Sequence, residues 1–164
     1  MEVTYTVPTD PSLLDPATLS EQLSEVVRDA MSWLATLSEA QAAQPEREGK
    51  WNAKEVIGHL TDSAVNNLGR FVRLAIRPHD LPSYDGDAWV QVQHYSEREW
   101  QHILALWFVL NQHIAGVIHR LDRASLANTG SIDGISVTLG FVIEDYIAHM
   151  HHHLNALRRW LPAK

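Results

Sequence analysis

Apolar residues return every three or four positions along four stretches of the chain, with polar and turn-forming residues between them. In "LSEQLSEVVRDAMSWLATLS", Leu19, Leu23, Val26, Val27, Ala30, Trp33 and Leu37 share one helical face. A second helix is expected over residues 53–76, opened by Asn52 as N-cap with Glu55 as its reciprocal partner and stopped before Pro78. Ser96 and Glu99 suggest another capping box, after which Trp100, Ile103, Leu104, Trp107, Leu110, Ile114, Val117, Ile118 and Leu121 line a third stripe. The last helix is expected from near Thr138 to Trp160.

Between these stretches the periodicity fails. Residues 1–16 hold Pro8, Pro11 and Pro16 and read as an extended arm. Residues 77–95 read as a loop with one helical turn near 88–92, placed to fold over a pocket, and residues 122–136 read as a second loop. Four long helices in a chain of 164 residues predict an all-α four-helix bundle forming a single domain over 1–164. In such bundles, sites are built from inward side chains of facing helices.

Composition narrows the chemistry. No run of about 18 apolar residues is present, and the first twenty residues lack a basic and apolar leader, so a cytoplasmic protein with no membrane span is expected. There is no cysteine, so metal ligation falls to His, Asp and Glu, and sulfur chemistry requires a thiol carried in on a small molecule. A formal charge of -7 without a basic patch argues against nucleic acid as a partner.

The ten histidines are unevenly spread, and "EDYIAHMHHHL" carries four of them on the last helix. On a helical wheel, His149 and His153 fall on the apolar stripe with Leu139, Val142, Tyr146 and Leu157, whereas His151 and His152 fall on wetter sides. Spaced i and i+4, His149 and His153 can offer nitrogens to one metal ion. On the second helix His59 sits at the edge of the stripe of Val56, Leu60, Asn67, Phe71 and Leu74, beside Glu55, Ser63, Asn66 and Arg70. The other histidines fall off the third helix's stripe or in the first loop.

"WNAKEVIGHLTDSAVNNLGRF" followed by "DYIAHMHHHLNAL" resembles the DinB-like superfamily and, within it, the YfiT-type group assigned to metal-dependent hydrolysis. The resemblance spans about residues 18–160. It implies an up-down-down-up bundle, homodimers, and a nickel or zinc ion held by His59, His149 and His153. Relatives include thiol-dependent S-transferases and a mycothiol-dependent isomerase. Tyr84, Asp85 and Trp89 lie where that group carries a similar aromatic segment. One departure is Gly58, where the group often shows a second His before the helix-two ligand.

Three imidazoles on a divalent ion leave a coordination position for water or substrate, as catalytic sites require. Such an ion acidifies water, polarises a carbonyl, or holds an incoming thiol as thiolate. Glu55, Asp62, Ser63 and Tyr146 are the expected orienting partners of the imidazoles, Asn66 borders them, and Arg70 is a candidate for an anionic substrate. No general acid or base is singled out. Three readings stand: a metal-dependent hydrolase or small-thiol S-transferase, a non-catalytic metal-binding bundle with His152 closing the sphere, and a metal-free bundle with ordinary core histidines.

Overall fold

The computed structural model describes residues 4–161, so the first three residues of the expected arm lie outside the described residues. In chain order the elements are α1 (Pro16–Leu34), α2 (Glu39–Ala42), α3 (Ala53–Ile76), β1 (His79–Leu81), α4 (Gly86–Gln93), α5 (Trp100–His119), β2 (Thr129–Ile132), β3 (Ile135–Thr138) and α6 (Leu139–Trp160). Single 3-10 turns sit at Pro11–Leu13, Tyr95–Glu97 and Arg123–Ala127.

The long helices α1, α5, α3 and α6 pack in that order around the bundle, each on the next and α6 back on α1. Side-chain contacts fix their directions. Ser20 Oγ at the start of α1 donates to Ala115 O near the end of α5, and Trp100 Nε1 at the start of α5 donates to Leu34 O at the end of α1, so these two run antiparallel. Lys54 at the start of α3 reaches the Arg98 carbonyl just before α5, so α3 and α5 run parallel. Arg158 late in α6 pairs with Asp29 late in α1, so those two are parallel as well. The outcome is the up-down-down-up arrangement.

Local chemistry explains most helix ends. The Asn52 and Glu55 capping box forms as expected, with Glu55 N donating to Asn52 Oδ1 at 3.0 Å and Asn52 N to Glu55 Oε2 at 2.9 Å. The first helix begins earlier than its stripe suggested, because Asp15 caps it and Pro16 supplies the first helical position. The Ser96 and Glu99 box does not form. Ser96 belongs to a 3-10 turn, Glu99 makes no capping bond, and the Trp100 amide donates instead to Glu39 Oε2 at 2.8 Å, a cap supplied from α2.

Both loops carry more structure than their composition implied. Residues 77–95 hold β1 and the two-turn α4, and the second loop holds β2 and β3. β1 pairs in parallel with β2, and β2 antiparallel with β3, making a small sheet in the order β1-β2-β3. The two-residue turn between β2 and β3 has Asp133 at φ 51° and Gly134 at φ 80°, the left-handed pair that a tight hairpin requires.

Trp100, Trp107, Phe71, Leu23, Leu34 and Ile57 are among the largest fully buried side chains. Truncating either Trp to Ala would cost about 3–5 kcal/mol. Helix α5 is long and apolar enough to cross a membrane by length and composition. Here its Trp100, Ile103, Leu104, Trp107, Ile114 and Ile118 are buried inside the bundle.

Candidate metal centre

The antiparallel seam of α3 and α6 brings His59 against His149 and His153. His59 Nε2 lies 3.1 Å from His149 Nε2, and one ligand nitrogen from each of the three rings lies within 4.8 Å of the others. Ring centroids are 4.6 Å apart for His149 and His153, and 5.1 and 4.8 Å from His59 to each. The fully apolar line of α6 runs through Ile143, Ile147, Met150, Leu154 and Leu157. The two histidines sit beside it, half-buried, and His149 lines a cavity. His151 and His152 are exposed, as the wheel indicated.

All three imidazoles are neutral at pH 7. Burial pulls the His149 pKa down to about 2, with further pressure from His153, His59 and His152. His153 falls to about 4, mainly through burial and then through His59 and His152, and burial also lowers His59. Neutral rings keep their lone pairs, so a cation need not displace protons to bind.

The surroundings orient the rings. Ser63 Oγ lies 3.4 Å from His149 Nδ1, which suits a proton on Nδ1 and a lone pair on Nε2, the nitrogen facing His59. Trp51 packs on His59 with centroids 5.2 Å apart, and Tyr5 packs edge-on to His149 at 4.8 Å. Gly86 at the start of α4 closes over His59 so tightly that a Cβ there would lie 3.1 Å from Cε1. His59 Nδ1 is buried with no hydrogen-bond partner among the described residues.

A divalent ion fits this donor set. Two nitrogens bound at about 2.0–2.1 Å to one tetrahedral ion sit roughly 3.3 Å apart, close to the His59 to His149 separation. Nitrogens crowded together with no acidic partner between them are also poorly matched to one another, since two neutral rings share at most one proton. No fourth protein ligand joins the group among the described residues, and exposed His152 lies outside it.

A cavity of about 250 Å³ adjoins the cluster, with His59 and His149 in its wall. Ser63, Arg70, Tyr84 and Tyr146 also line it. The Tyr146 hydroxyl is committed to Asn111 Oδ1 at 2.5 Å, so this residue offers its ring to the cavity and not its oxygen to a histidine. Three residues expected near the imidazoles are employed elsewhere. The Glu55 carboxylate is held in the α3 cap. Asp62 Oδ1 accepts from Gln93 Nε2 at 2.5 Å and Tyr95 Oη at 2.7 Å on another face of α3. Asn66 Nδ2 donates to Asp62 O. Trp89 packs at a tilt against Tyr84, with centroids 5.1 Å apart, and borders a separate cavity on that other face.

Tyr5 and Asp145 are two of the wall residues that the sequence reading did not single out. Tyr5 comes from the arm, which is strapped to α6 by the Tyr5 and Thr6 amides donating to Asp145 Oδ1 at 2.5 and 3.1 Å and by Thr9 Oγ1 donating to Glu144 Oε1 at 2.7 Å. Asp145 is the other, and its place four residues before His149 on α6 was the available signal.

Comparison with known proteins is decisive for the family. The model of the DinB superfamily matches residues 22–157. The chain belongs to the DinB superfamily. It is 25% identical over 139 residues to YfiT of Bacillus subtilis (strain 168), covering 80% of this chain and 76% of that protein. The solved YfiT structure, described as a probable metal-dependent hydrolase with an unusual four-helix bundle topology, superposes with a TM-score of 0.84 at 21% identity over 96% of this chain and 91% of that one. A mycothiol-dependent maleylpyruvate isomerase superposes with a TM-score of 0.70 at 12% identity, over 92% of this chain and 63% of the isomerase. As a DinB-superfamily member the chain departs from the YfiT-type pattern at Gly58 for a visible reason. A Cβ there would lie 2.2 Å from the Tyr95 ring, so the aromatic side chain takes the room that a second histidine would need.

Proposed function

We propose that the protein is a metal-dependent enzyme whose His59, His149 and His153 hold one nickel or zinc ion, acting on a small molecule in the adjoining cavity by hydrolysis or by transfer to a low-molecular-weight thiol. The observation that carries this reading is the convergence of three neutral imidazoles, two of them in the wall of a cavity, with no fourth protein ligand in the group among the described residues. Bound there, a divalent ion would supply Lewis acidity toward a carbonyl and stabilise the deprotonated form of a water or thiol.

The chain's own groups do the rest. Ser63 holds the His149 ring by its Nδ1, while Trp51 and Tyr5 cover ring faces and restrict water around the cluster. Asp145 in the cavity wall takes two backbone amides on one oxygen and anchors the arm. With no cysteine in the chain, a sulfur nucleophile must be a diffusible thiol, which is why we place the protein in the cytoplasm, where such thiols stay reduced. The family likeness leads us to propose a homodimer too, and the exposed Val65, Val72, Leu106 and Val109 on α3 and α5 are its candidate face. Sedimentation at micromolar concentration should give twice the chain mass, and a monomer there removes that part of the proposal.

The enzymatic reading is tested with tag-free protein reconstituted with nickel or zinc and offered activated esters, and separately a small thiol with a chromogenic electrophile. Turnover in at least one assay should depend on the metal and vanish in His153→Ala. Metal-loaded wild-type protein that turns over no faster than metal-free protein or the variant would leave a metal-binding bundle without catalysis.

A further inference from the structure

We propose that the cavity between α3, α4 and α5 binds a small organic cation, an amine with an apolar body, whose ammonium pairs with the buried carboxylate of Asp62. The site lies on another face of α3 from the histidine cluster. Among the described residues it shares no lining residue with the cavity there, so the proposal stands apart from the metal-dependent reading.

The walls come from three helices. Ala88, Trp89 and Val92 of α4 line the cavity together with Val65 of α3 and Leu106 of α5, and its volume is about 440 Å³. Val65, Trp89, Val92 and Leu106 are exposed, so hydrocarbon and an aromatic ring face water around this space. Such walls suit the ring or short chain of a small molecule.

One polar group sets the class. Asp62 lines the cavity and is 2% exposed, and its two oxygens are used unequally. Oδ1 accepts from Tyr95 Oη at 2.7 Å and from Gln93 Nε2 at 2.5 Å, whereas Oδ2 has no hydrogen-bond partner among the described residues. Burial raises the Asp62 pKa, and the bonds from Tyr95 and Gln93 hold it back. No Lys or Arg among the described residues lines the cavity. Lys54, on the same helix, ends on Glu39 and two carbonyls, and Arg98 Nε donates to Gln93 O. A buried carboxylate without a cation is costly, and an ammonium supplies both the missing charge and the missing donors. The rings of Trp89 and Tyr95 in the wall favour a cation further, as does the formal charge of -7 on the chain.

Gln93 is the door. It is half-buried at the last turn of α4, and its side-chain amide covers the carboxylate, whereas Tyr95 is buried and stays in place. A ligand ammonium takes the place of that amide, which exchanges a neutral donor for a charged one.

The probes are 4-phenylbutylamine and 4-phenylbutan-1-ol, which have nearly the same shape and differ in charge, titrated calorimetrically at pH 7 into the full metal-free chain. The amine should bind about tenfold more tightly than the alcohol, as expected for one charge-assisted pair. It should also shift the side-chain amide resonances of Gln93. Asp62→Asn, which keeps an oxygen for Tyr95 and removes the charge, should bring the two affinities together. Ala88→Leu, which fills the cavity from a helical position, should weaken both probes. Equal affinity for amine and alcohol in wild-type protein overturns the proposal even if Asp62→Asn fails to fold, and so does a preference unchanged in Asp62→Asn. Amine binding untouched by Ala88→Leu places the ligand elsewhere and overturns it too. Val65 and Leu106 also belong to the face offered for self-association, so a chain that sediments as a dimer and binds neither probe has this cavity covered by its second copy, which overturns the proposal as well.

Discussion

Lys54 and His59 lie about one and a half turns apart on α3, yet the polar groups gathered around them are used in opposite ways. Lys54 is 4% exposed, and its ammonium donates to Arg98 O at 2.7 Å, to Ser96 O at 3.4 Å and to Glu39. The other oxygen of Glu39 accepts the Trp100 amide. Each strong donor there ends on an acceptor supplied by the chain, and the effect is mechanical, tying α2 and the start of α5 to the start of α3. Around His59 the arrangement is different. Ring nitrogens of three histidines converge with Ser63 as their modest support, and His59 Nδ1 has no partner among the described residues. Polar groups that complete one another build a fold, whereas basic nitrogens aimed at a common point are completed by something that arrives.

The contrast can be broken in order of effect. His149→Ala should remove the metal-linked rise in Tm. For the wild-type protein that rise corresponds to about 2.7 kcal/mol when the free ion is at a hundred times its Kd, and thermal melts with and without nickel measure it. Lys54→Met should do the converse, lowering stability by about 2 kcal/mol in a urea titration while leaving the bound-metal count unchanged. Ser63→Ala should weaken metal binding about tenfold by loosening the His149 ring, with little change in the metal-free Tm, as competition with a chromogenic chelator would show.

A separate effect comes from pH. In the metal-free fold His149 and His153 have pKa values near 2 and 4, below the ordinary value of 6.5. The unfolded chain therefore takes up protons that the folded chain refuses. Stability is intact above pH 6.5 and declines as pH falls through 4 toward 2, by at most about 1.4 kcal/mol per unit for each histidine. His149→Ala should make that decline shallower in melts between pH 7 and 5.

The bundle was legible because helical periodicity survives in sequence. The second helix needed only Asn52 and the stripe to be bounded, and the wheel separated His149 and His153 from His151 and His152 without any tertiary information. The second capping box failed because Ser96 and Glu99 match the motif, while the tertiary reach of Glu39 to the Trp100 amide decides the cap. The sheet was missed although "SIDGISV" contains Asp133 and Gly134 between β-branched residues, a hairpin signal outweighed by the polar composition around it. Glu55, Asp62 and Asn66 were placed near the histidines by helical register alone, which cannot see that Glu55 serves a cap, that Asp62 Oδ1 accepts from Tyr95 and that Asn66 Nδ2 donates to a backbone carbonyl. The cavity walls from the arm and the hairpin depend on long-range packing, so Tyr5 carried no periodic mark, whereas Asp145 had its i, i+4 spacing to His149 on α6 as a signal.

The number of divalent ions retained per chain decides most directly whether the three imidazoles form a metal centre. Tag-free protein reconstituted with nickel or zinc and exhaustively dialysed should hold about one ion per chain by elemental analysis, and the protein carrying His59→Ala, His149→Ala and His153→Ala together should hold none. Wild-type protein that retains no more metal than the triple variant would contradict the assignment of the cluster as a metal centre.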